Sequence, residues 1–142
     1  MRKLLLVVML VCVAVALIAQ TGDKPKVQIV PAKHTSAASG QEMYKTYCAS
    51  CHGVDGKGSG PASSAMKEPV PDITRMQRQN NGKYPEARVI ESIRGDRTIA
   101  AHGSKDMPVW GAILSQVSRR DEAELQLRYR NLADHIASLQ EK

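Results

Sequence analysis

Apolar positions recur with a helical period in three places along this chain of 142 residues. In the first, Met43, Tyr44 and Tyr47 share one face and predict a short helix over residues 39–48. In the second, Val89, Ile90 and Ile93 line up, with Pro85 and Glu86 at the start and Gly95 where a C-terminal cap belongs. The third is the longest: Leu125, Tyr129, Leu132, Ile136 and Leu139 form a stripe, and Arg128, Arg130 and Asp134 are assigned to the other faces. Val27-Gln28-Ile29-Val30 has some strand character, but Pro25 and Pro31 flank it and no sheet is built on it. No alternating segment competes with the helices and there is no internal repeat. The expected fold is therefore all-α, about three to five helices joined by long loops. Loops that long inside one small domain need a functional reason, and wrapping a bound group would supply one.

The N-terminal pattern differs in kind. Arg2 and Lys3 precede an uncharged apolar stretch over residues 4–19, followed by polar Gln20, Thr21 and Gly22, which is the layout of an export signal. Ala14, Ala16 and Ala19 are small residues placed where a peptidase could cut, and cleavage is expected within residues 16–20; an uncut membrane anchor is the rival reading. Cys12 follows Val11, where a lipidated cysteine would want a small residue, and is read as part of the apolar leader. Residues 20–38 mix Lys, Pro, Ser and Ala without sustained period and read as a flexible linker, leaving residues 39–142 as one domain.

Composition sharpens the picture at one point. The chain has no Phe and only 4% aromatic residues, so the side chains that usually dominate a core are scarce and a bound apolar body could take their place. A Gly-rich segment over residues 53–61 would let the backbone turn tightly beside it.

Cys48-Ala49-Ser50-Cys51-His52 identifies that body. It is the attachment pattern of a c-type haem, whose two vinyl groups receive the two thiols while the adjacent histidine sits under the iron. A thioredoxin-type dithiol would want a βαβ setting and a zinc site another pair of Cys or His ligands; the sequence offers neither. Once the leader is removed, Cys48 and Cys51 are the only cysteines left.

The opposite face of the iron needs a ligand from far along the chain. Met107 is the choice, because Pro108 restricts the backbone and Gly111 releases it, as suits a side chain presented from a rigid loop. Its competing reading is a core methionine, which would normally sit on a helical stripe as Met43 does. Met66 and Met76 lack a comparable turn. His102 stands five residues earlier and is the alternative ligand; His34 and His135 are poor candidates. A His/Met pair implies a higher reduction potential than a bis-His pair.

With these residues in view, the chain resembles the class I monohaem c-type cytochromes of bacteria from about Gly40 to Gln140. The haem motif, Gly53-Val54-Asp55-Gly56-Lys57-Gly58, Gly60-Pro61, Pro71-Asp72-Ile73-Thr74 and the late segment from His102 through Met107-Pro108-Val109-Trp110-Gly111 carry the likeness. The resemblance implies a small all-α domain wrapped around one covalently bound haem, with His52 and Met107 as iron ligands. It also implies that the Pro61 carbonyl receives the ring N–H of His52, and that the first and last helices cross where Gly40, Met43 and Tyr44 meet Leu132 and Ile136. His135 stands about where relatives often place an aromatic residue.

With both axial positions filled by the protein, the expected role is outer-sphere electron transfer in the periplasm and not catalysis. The formal charge of +6, to which Arg2 and Lys3 contribute, favours an acidic redox partner such as an oxidase, a dehydrogenase or another cytochrome. Anionic lipid matters if the leader is retained. Lys and Arg are scattered and no nucleic-acid motif appears, so nucleic acid is not expected. Two other readings stand beside the carrier: a haem subunit held permanently in a larger oxidoreductase, and a haem gas sensor in which Met107 is displaced.

Overall fold

A computed structural model describes residues 31–96, 107 and 110–141. The leader, residues 20–30 of the linker with the Val27 run, and His102, Pro108 and Val109 lie outside the described residues. Among the described residues six α-helices follow in order: α1 (Gly40–Tyr47), α2 (Ala49–His52), α3 (Met76–Gln79), α4 (Glu86–Arg94), α5 (Trp110–Val117) and α6 (Glu122–Ser138). Two 3-10 turns, Ser63–Ala65 and Ile73–Arg75, punctuate the loop between α2 and α3. Among the described residues there is no strand, in line with the all-α expectation.

The helix ends have local causes. Ser39 caps α1, its hydroxyl accepting from the Glu42 amide at 3.1 Å. Asp121 caps α6 in the same way from the Glu124 amide, also at 3.1 Å. Gly95 closes α4 in the left-handed region, φ 83°, where its amide and that of Asp96 satisfy carbonyls of the last turn.

α1 crosses α6, and α4 and α5 pack on α6 beside it. The crossing falls where the resemblance places it. A side chain at Gly40 would collide with the Asn131 carbonyl oxygen, so only glycine allows the two backbones this close. Met43, Tyr44, Leu132 and Ile136 close the core around that point. His135 lies against Tyr44 with ring centroids 5.1 Å apart, occupying the aromatic position with an imidazole.

Without phenylalanine the core is built on tyrosine, and that choice has structural consequences. A buried hydroxyl must find a partner, and three of the four tyrosines donate theirs to backbone carbonyls. Tyr44 reaches Gly53 at 2.8 Å, Tyr47 reaches Lys33 at 2.6 Å and Tyr84 reaches Ala133 at 2.9 Å. Each one fastens a loop or helix to a neighbour that apolar packing alone would hold less specifically.

Three sequence readings need correction. Arg128 was assigned to an outer face of the last helix, yet it is 1% exposed. Its guanidinium donates to the Glu124 carboxylate at 2.6 Å, the Ser118 hydroxyl at 3.0 Å, and the carbonyl and hydroxyl of Thr35 at 2.9 and 3.1 Å. Residues 33–38, placed in the flexible linker, are held to the domain by this arginine, by Tyr47 and by Asn131, whose amide donates to Ala37 at 2.8 Å. Gly111, read as the release from a rigid loop, sits instead inside α5. It brings that helix against the end of α4, where a Cβ would lie 2.5 Å from the Arg94 carbonyl oxygen.

Candidate functional site

The two thiols and the histidine come together at a helix junction. α1 ends at Tyr47, Cys48 joins it to α2, and the single turn of α2 carries Cys51 and His52. The Cys51 and His52 amides both return to the Cys48 carbonyl, at 3.1 and 2.9 Å, so the motif is wound into one compact turn. Cys48 and Cys51 are both free thiols.

Beyond His52 the chain reverses at Gly53, φ 78°. The loop then runs back along the motif. Gly58 donates to His52 at 2.8 Å, Gly60 to Cys51 at 3.0 Å and Ala62 to Ser50 at 2.8 Å, so three amides satisfy the carbonyls at the end of the helix. Two glycines are required for spatial reasons. A Cβ at Gly60 would overlap the Ser50 carbonyl oxygen and one at Gly58 the Val70 carbonyl oxygen.

Burial shapes the electrostatics of the motif. Burial, then the neighbouring Cys51, push the Cys48 thiol up to about 12, so it stays protonated at neutral pH and makes a poor attacking thiolate. Among the described residues no three His, Cys, Asp or Glu side chains gather as a metal site of the zinc type. Burial lowers the pKa of His52 and so favours its neutral imidazole, the form that binds a metal; hydrogen bonding to the Pro71 backbone acts the other way. Proline has no N–H, so that partner is its carbonyl.

His52 Nδ1 is buried and has no hydrogen-bond partner of ordinary geometry. Pro61, which the resemblance puts at this ring, and Pro71, whose carbonyl acts on its pKa, are both exposed residues. Pro71 reaches the site because the Gly56 carbonyl accepts from the Ile73 amide at 2.9 Å and the Val70 backbone closes on Gly58. Sequence spacing from His52 gave no signal for that return.

Met107 stands apart from the core. It occupies a bend and is 40% exposed, whereas Met43 on the α1 stripe is fully buried. His34 is exposed and His135 packs on Tyr44, leaving neither at the motif. Trp110 opens α5 three residues after Met107, and its ring lies 5.4 Å from that of Tyr47, the residue before Cys48. The periodicity of Trp110, Leu114 and Val117 is the signal that would have revealed α5.

These residues fit a covalently bound haem. Two unpaired thiols stand one turn apart, a neutral imidazole follows with one ring nitrogen buried and unpartnered, and a methionine lies outside the core. Residues 35–125 match the family model described as cytochrome c oxidase, cbb3-type, subunit III. No curated protein and no solved structure matches the chain. The match begins at Thr35, which Arg128 holds to the domain, and spans the attachment turn, the glycine loop and Met107. The chain thus belongs to this family of c-type cytochrome domains, all-α proteins that carry a covalently bound haem c and transfer electrons.

Proposed function

We propose that the protein is a one-haem carrier in which Cys48 and Cys51 would hold the haem and His52 and Met107 would ligate its iron. The bound group supplies an iron that alternates between ferrous and ferric states. The protein's residues do the rest: the α2 turn fixes two thioether anchors, His52 is kept neutral by burial, and Met107 closes the remaining position to substrate. The observation that carries this reading is the 40% exposure of Met107, a thioether that the core does not use.

The soft sulfur ligand favours the ferrous state and places the potential above that of a bis-His haem. We assign the protein to the periplasm, exported by its N-terminal leader, with the anchored form as the alternative. Exposed Arg88, Arg119, Arg120 and Arg130 favour an acidic redox partner, a respiratory oxidase or a dehydrogenase. The family description names an oxidase subunit, which supports a second reading in which the domain is held permanently in a larger complex. Co-purification of a catalytic subunit with the native protein would establish that reading; a monodisperse monomer would establish the free carrier.

The ligand assignment is tested by the absorption spectrum of the exported protein in both redox states. The weak far-red band of ferric methionine ligation should be present, vanish in Met107→Ala and survive in His102→Ala. Its survival in Met107→Ala, or rapid binding of carbon monoxide by the ferrous protein at neutral pH, would refute the closed His52/Met107 site.

A further inference from the structure

Tyr47 is the last residue of α1 and directly precedes Cys48. It is 6% exposed, and its two ends meet different parts of the chain. On the hydroxyl side the proton order is fixed by chemistry. Arginine can only donate, so Arg128 donates to the Thr35 hydroxyl oxygen at 3.1 Å. The Lys33 carbonyl can only accept, so the Tyr47 hydroxyl donates its single proton there, at 2.6 Å. The 2.9 Å contact between the two hydroxyls must then run from Thr35 to Tyr47. Arg128, Thr35, Tyr47 and Lys33 form one directed chain in which each bond polarises the next.

On the ring side, Tyr47 lies beside Trp110, centroids 5.4 Å apart and planes inclined by 36°. Trp110 has little freedom to slide, because Gly111 seats α5 directly on the Arg94 carbonyl. Three residues of chain reach at most about 11 Å, so the place of Trp110 bounds the place of Met107. Met107 itself is 40% exposed and does not belong to the buried core.

We propose that Tyr47 is a positioning residue for the distal side of the site, tying Trp110, and through it Met107, to the end of α1 that runs into the Cys48–His52 turn. Residues 33–35, the strap at the start of the domain, set the tyrosine's orientation through the hydroxyl chain. This inference rests on Met107 as the iron ligand. A tyrosine that merely filled the core would affect stability alone; a positioning tyrosine also governs how readily Met107 gives up its place.

The test uses the full-length exported holoprotein in the ferric state, with imidazole as the probe that competes for the distal position. Tyr47→Leu removes ring and hydroxyl and should raise imidazole affinity by about tenfold, the size of one good aromatic contact. Thr35→Val breaks the hydroxyl chain without touching either ring and should raise it by a smaller factor, about threefold. Tyr84→Phe, which strands the Ala133 carbonyl and removes no group of the hydroxyl chain or the ring pair, should lower the unfolding midpoint and leave imidazole affinity at the parent value. Variants at Tyr47 and Thr35 that lose stability but keep the parent's affinity would overturn the proposal. If Tyr47→Leu does not accumulate, Thr35→Val alone decides it. A parent protein without the far-red methionine band would refute the Met107 reading and this inference together; a normal band with unmoved affinities refutes only the role of Tyr47.

Discussion

The hydroxyl of Tyr44 donates to the carbonyl of Gly53 across 2.8 Å, joining a fully buried side chain of α1 to the residue that follows His52. Burial, then Cys48 and Asp55, push the phenol up to about 12, so it remains a donor throughout the physiological range. The bond gives the haem-attachment turn a fixed point in the core, independent of the backbone hydrogen bonds of α2.

Tyr44→Phe keeps the ring and leaves the buried Gly53 carbonyl without its donor. Stability should fall by about 1–3 kcal/mol, the cost of a stranded buried acceptor. Denaturant unfolding of the holoprotein measures it. An unchanged midpoint would mean that the carbonyl finds another donor.

Gly40→Ala tests the crossing of α1 and α6. A Cβ there overlaps the Asn131 carbonyl oxygen and comes within 3.0 Å of His135 Cβ, both on a packed helix. The helices must separate, at a cost of about 1–3 kcal/mol or more. Thermal unfolding should show a clear fall in the midpoint, although alanine is the better helix former by about 1 kcal/mol.

Glu124→Ala removes the counter-ion of buried Arg128. The pair lies four residues apart on α6, 2.6 Å between charged atoms, with side-chain exposures of 1% for Arg128 and 36% for Glu124. Breaking a fully buried pair costs about 3–5 kcal/mol; the partial exposure of Glu124 puts the expected loss at the lower end. Arg128→Leu should also destabilise, by stranding the Thr35 carbonyl, and the two losses should not add. Full additivity in denaturant unfolding would show that the pair does not act as a unit.

Helices α1, α4 and α6 were legible because their cause is local. Ser39 and Asp121 cap, Gly95 terminates, and apolar residues recur at three and four. Arg128 was misread because its charge outweighed its position. It stands three residues after Leu125 and four before Leu132, on the stripe itself, and only the fold shows that Glu124, Ser118 and Thr35 await it there. α5 was hidden by Gly111, which signals a turn in sequence and here serves a close helix contact.

The attachment chemistry was complete in five residues, since the Cys48-to-His52 spacing is itself the geometry that a haem edge and its iron require. What surrounds that chemistry depends on residues distant in sequence. The loop after His52 lies along the attachment turn because Gly58, Gly60 and Ala62 donate to its carbonyls and the Ile73 amide donates to Gly56. The strap at Thr35 belongs to the domain because Arg128, far along the chain, reaches it. A motif records what one turn of backbone holds together. Which carbonyl meets a tyrosine hydroxyl, and which charge is buried, follow from how helices far apart in sequence pack.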